Sequence, residues 1–98
     1  MTFEQFSASL AGDAPPPGLP PALCALWRDA KGDWAGAHEI AQDIGTPAGS
    51  ITHAYLHRKE GDLGNAQYWY RHAKRAPSTG PLADEWKALV DELLRAAP

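Results

Sequence analysis

Residues 30–41 read AKGDWAGAHEIA, and residues 59–70 read KEGDLGNAQYWY. Gly32-Asp33 returns as Gly61-Asp62, and Ala37 returns as Ala66, each 29 residues later. Glycine takes the left-handed backbone that ends a helix, and aspartate caps the start of the next. A Gly-Asp step between two helical patterns is therefore the elbow of a helical hairpin, and the chain carries two in tandem.

Outward from the first elbow, Leu23, Leu26, Trp27 and Ala30 recur at helical spacing from Pro21, a residue tolerated in a first turn. On its other side Trp34, Ala37, Ile40, Ala41 and Ile44 predict a helix to about residue 44, stopped by Gly45-Thr46-Pro47. The second hairpin pairs 48–60 with 62–75 and is expected to bury Leu63, Ala66, Trp69, Tyr70 and Ala73. After the break at 77–81, a helix over 81–96 carries Trp86, Leu89, Val90, Leu93 and Leu94 on one side. At the other end, residues 2–11 form a short amphipathic helix with Thr2 as its cap and Phe3, Phe6 and Leu10 inward. GDAPPPGLPP at 12–21 makes a stiff strap behind it. No window alternates with the period of two that a strand needs. The expected fold is all-α and a single domain: two antiparallel hairpins over 21–77, flanked by N- and C-terminal helices.

Ninety-eight residues, 44% hydrophobic with four Trp, suffice for one modest core. A net charge of −3 argues against a nucleic-acid partner, which needs a concentrated basic surface. Arg71, Lys74 and Arg75 end a helix, where they complement its dipole. Cys24 is the sole cysteine, so no disulfide can form within the chain, and its apolar neighbours mark it as a small buried hydrophobe. The first residues, MTFEQFSASLAGD, lack the positive charge and apolar run of a signal peptide. No stretch approaches the roughly 20 apolar residues of a membrane span. These features give the expectation of a cytoplasmic protein with no membrane association.

The pattern resembles the tetratricopeptide repeat, which pairs two helices about a Gly-Asp turn with a small residue on the second helix and an aromatic after it. Ala37, Ala66 and Tyr70 fill those positions here, Ala25 and Ala54 fit the close-packing site on the first helices, and Pro47 and Pro77 fall near the closing proline. The chain departs from the family in its 29-residue offset against about 34. It also departs in Ala41, where an aromatic is expected, and in Arg28 and His57, where tyrosines are expected. The string HAYLHRKEGDLGNAQYWYRHA at 53–73 is also similar to a group of small uncharacterised helical proteins with no assigned activity. The repeat resemblance implies a protein or peptide partner, including a second copy of the chain.

Three groups of residues can carry chemistry. His53 and His57 stand one helical turn apart with Glu60 on the same side, a partial metal-ligand set to which His38 or Glu39 can add. The zinc-peptidase pattern is absent, since Ala54 stands where its glutamate would follow the first histidine. The helical wheel turns these histidines away from Ile51, Ala54 and Tyr55, whereas the repeat alignment turns them inward. The alignment is the better guide, because a short helix between two others buries two sides. A buried polar network of His38, His53, His57 and Glu60, a metal or proton-transfer site, and a solvated stripe all remain open. Asn65, Tyr68 and His72 share a polar face with one exposed aromatic and form a second candidate binding surface. Trp27, Trp34, Trp69 and Trp86 occupy apolar helical positions and read as core. No phosphate loop, serine nucleophile elbow or cysteine cluster occurs.

The favoured function is a small protein-interaction or self-association module with no cofactor. The alternative is a small metal-dependent enzyme or ligand binder using His53, His57 and Glu60.

Overall fold

The computed structural model describes residues 1–97. Its described residues form an all-α fold of six helices: α1 Phe3–Ser9, α2 Pro21–Ala30, α3 Trp34–Gln42, α4 Pro47–Glu60, α5 Leu63–His72 and α6 Leu82–Ala96. None is long and apolar enough to cross a membrane.

The two elbows share one hydrogen-bond pattern. Gly32 and Gly61 have φ of +88° and +89°. The Asp33 amide donates to the Arg28 carbonyl at 2.9 Å, and the Asp62 amide donates to His57 at 3.0 Å. Each aspartate then accepts from a backbone amide of the helix it opens: Gly36 N–H at 2.9 Å and Asn65 N–H at 3.2 Å. These contacts satisfy carbonyls at the end of one helix and an amide at the start of the next. A third elbow repeats the pattern after α5 without glycine. Lys74 has φ +60°, and the Arg75 amide donates to Tyr70 at 2.9 Å.

Helix α4 is the centre of the molecule. It packs against α2, α3, α5 and α6, and most of its length is buried. Helix α6 closes over α2 and α4, and α1 lies on α6. Phe6, Leu23, Leu26, Trp27, Leu56 and Val90 are fully enclosed. Each such side chain contributes about 1.5–3 kcal/mol through burial. The tryptophan of α6 ties this together: the Trp86 indole N–H donates to the Leu26 carbonyl at 3.0 Å, and Phe3 and Phe6 pack on its ring at 5.9 and 6.0 Å. Phe6 is thus wholly enclosed in the core.

Two carboxylates lock α4 in place. Asp29 of α2 is 2% exposed and accepts from the Tyr55 hydroxyl at 3.0 Å and the Lys59 ammonium at 2.9 Å. Glu85 of α6 accepts from the Arg58 guanidinium at 2.8 Å and from the Tyr70 hydroxyl. Arg58 also donates to the Gly80 carbonyl. Burial, with Asp29 and Glu85 beside them, raises the pKa of both tyrosines, so both remain protonated donors.

Several boundaries differ from the sequence expectation. The first helix is shorter than 2–11, and α3 and α5 stop at Gln42 and His72 rather than near 44 and 75. Leu63 is not buried but 60% exposed, because it is the first residue of α5 and projects from the elbow. Trp34 and Trp69 are only half-buried and line a groove, as described next.

Candidate metal centre

Helices α3 and α5 flank α4, but their backbones do not approach each other. The gap between them is floored by α4 and filled by rings. His53 and His57, one turn apart on α4, are 5% and 6% exposed, which resolves the conflict between wheel and alignment in favour of burial. His38 of α3 reaches in from the side, and its Nε2 lies 2.9 Å from Nε2 of His53. The three imidazoles pack against one another, with ring centroids 4.6, 4.8 and 5.0 Å apart. One nitrogen from each of the three lies within 4.8 Å of the others.

Two indoles wall the cluster. Trp34 stacks on His38 at 5.0 Å and meets His57 edge-on at 5.9 Å, and Trp69 of α5 stacks on His53 at 4.1 Å. The Trp34 indole N–H is fixed by the Leu56 carbonyl at 2.8 Å. Sequence reasoning assigned these tryptophans to the core. The signal that distinguishes them is spacing: Trp34 stands four residues before His38, so the two rings share one helix face.

Glu60 plays a different part from the one its spacing suggests. The converging set that contains both His53 and His57 has His38 as its third member, and Glu60 contacts one of the three. Its Oε1 lies 2.6 Å from His57 Nδ1. That contact orients the ring and leaves Nε2 as the free nitrogen. His38 is the neighbouring-helix residue that meets the histidines of α4, and Glu39 is exposed. His57, Glu60 and Asp62 also bring their ligand atoms within 4.8 Å of one another, but Asp62 is exposed and already caps α5.

The electrostatics favour neutral imidazole. Burial first, and then the neighbouring His57, lower the pKa of His38. Burial, with His38 and His57 adding to it, brings His53 down to about 4. A neutral imidazole offers a lone pair to a metal, and a protonated one does not.

The second candidate surface is only partly assembled. Asn65 and Tyr68 are exposed, Tyr68 by 49%. Tyr68 packs edge-on against Trp69 at 5.1 Å and lies 6.0 Å from His72. The Nδ1 atom of His72 pairs with the buried Ser50 hydroxyl at 3.0 Å. His72 is exposed, and this contact ties α5 to the start of α4. Cys24 is half-buried in α2 with its thiol 3.7 Å from the Leu19 carbonyl, and burial raises its pKa.

No protein-family model matches the chain, and no curated protein or solved structure matches it either.

Proposed function

We propose that this protein binds a divalent transition-metal ion between α3 and α4, with His38, His53 and His57 as ligands. The observation that carries this reading is the convergence of three imidazole nitrogens within 4.8 Å in a buried groove. Imidazole ligands suit zinc, copper and nickel. A tetrahedral zinc at about 2.0–2.1 Å from each nitrogen sets neighbouring nitrogens about 3.3 Å apart. The His38–His53 separation of 2.9 Å needs only slight widening, and His57 then closes on the pair. The low proton affinity of His38 and His53 removes the main competitor for their lone pairs. Glu60 supplies the carboxylate that holds a ligating histidine in register.

The direct test is titration of dialysed protein with zinc, followed by thermal unfolding. The expected result is one equivalent bound and a higher Tm, since zinc at a hundredfold its Kd adds about 2.7 kcal/mol. His38→Ala should abolish the response, because His38 is the ligand least involved in the core. His72→Ala should retain it. A Tm indifferent to zinc, copper and nickel contradicts the reading.

A second reading, the tetratricopeptide-like interaction module, is favoured by the exposure of Leu63 and Tyr68 on α5. Both are large apolar side chains that α5 holds in solvent. The occupant would be a peptide or a second copy of the chain. Sedimentation at micromolar concentration checks self-association, and a clean monomer removes that half of the reading.

A further inference from the structure

We infer that the three-histidine centre keeps one coordination position open to a small exogenous anion. This inference rests on the metal-binding reading. Zinc and its neighbours take four or more ligands, and the described residues offer three that can bind together. Glu60 cannot be the fourth while it holds His57. It sits at Nδ1, on the opposite edge of the ring from Nε2, where the metal binds. The Asp62 carboxylate is engaged by the Asn65 amide at 3.2 Å, and Cys24 belongs to neither group of converging ligand atoms. The fourth donor therefore comes from solvent or solute. It enters beside His38, the half-exposed member of the three.

Charge and shape define what fits. Three neutral imidazoles leave both charges of the metal uncompensated at the metal itself, and Glu60 acts on it only through His57. An anion is thus favoured over water or a neutral ligand. Trp34 and Trp69 stack on His38 and His53, and the Trp34 N–H is already engaged by the Leu56 carbonyl. An anion that relies on several hydrogen-bond donors, such as phosphate, finds few partners here. A small monoanion with one donor atom, such as azide or thiocyanate, needs no such partners beyond the metal.

Cobalt(II) provides the probe, because its visible bands report both binding and coordination number. The full-length protein loaded with cobalt is titrated with azide, thiocyanate and inorganic phosphate. The expected result is a saturable one-to-one shift of the bands with azide and thiocyanate at concentrations well below those needed for phosphate. His38→Ala serves as the control that removes the cobalt spectrum. Cobalt bands that no anion moves overturn the open position and leave metal binding standing. A phosphate response as strong as that of azide overturns the anion class. Absence of any cobalt spectrum in folded wild-type protein removes the metal reading, and this inference with it.

Discussion

The polar side chains of α4 meet two unlike environments, and the contrast locates the candidate site. On one side Tyr55, Arg58 and Lys59 meet Asp29 and Glu85, and each buried carboxylate is matched by a cation and a tyrosine hydroxyl. On the other side His53 and His57 meet His38, and the one carboxylate present, Glu60, touches only His57. The first arrangement is electrostatically closed. The second gathers three imidazoles that pair with one another and with Glu60 and meets no Lys or Arg side chain. Both are buried polar clusters, so burial alone does not mark a functional site. What differs is the kind of group gathered: carboxylates matched by cations on one side, imidazoles paired with one another on the other.

The sharpest way to break the contrast is to open a closed cluster. Glu85→Ala leaves the Arg58 guanidinium and the buried Tyr70 hydroxyl without their acceptor. Loss of one member of a buried pair costs about 3–5 kcal/mol. A urea titration should show that loss equally with and without zinc. A zinc-dependent loss would mean that the two sides of α4 are coupled.

Next in size is a pH effect on metal-free protein. His53 has a folded pKa of about 4 against 6.5 for the ordinary imidazole. As pH falls through 6.5 the unfolded chain takes up a proton that the folded chain refuses until about 4. Stability is therefore fully present above 6.5 and declines below it, by about 3 kcal/mol at the acid end. His38, shifted in the same direction, adds to the decline. The urea midpoint between pH 6.5 and 4.5 should fall less steeply in His53→Gln. An unchanged slope would show that His53 is not held neutral by its surroundings.

Glu60→Gln tests the role assigned to the carboxylate. Removing such a partner of a ligating histidine lowers metal affinity about 10- to 100-fold, or about 1.4–2.7 kcal/mol. The half-exposed Glu60 should matter far less to the metal-free fold. Complete loss of zinc binding would instead make it a ligand.

The smallest effect belongs to an ion pair of neither kind. Arg75 and Glu92 lie 3.0 Å apart, with side chains 44% and 42% exposed. Glu92→Gln should change stability by less than about 0.5 kcal/mol in a thermal melt. A larger change would mean that surface pairs, and not only the buried clusters, hold α6 down.

Much of this architecture was legible in the chain because its signals are local. Gly32 and Gly61 need a positive φ, and Asp33 and Asp62 cap within three residues, so sequence proximity is enough to place both elbows. The third elbow was not legible, because Lys74 takes the left-handed conformation without glycine. The candidate site was half legible. His53, His57 and Glu60 were readable as neighbours on one helix, but neighbours on a helix do not have to share a ligand. Glu60 turned back onto His57, and His38 came from another helix.

The sequence by itself determined the helices, their order and their turns, since capping, glycine at positive φ and apolar periodicity act over a few residues. It also determined that several histidines and tryptophans would lie on α3, α4 and α5. Only the tertiary structure decided which of them meet. α4 is wedged between α3 and α5, and three imidazoles meet between two indoles in the space above it. The burial that lowers the proton affinity of His53 comes from this packing, not from its own helix, because desolvation depends on what neighbouring elements exclude.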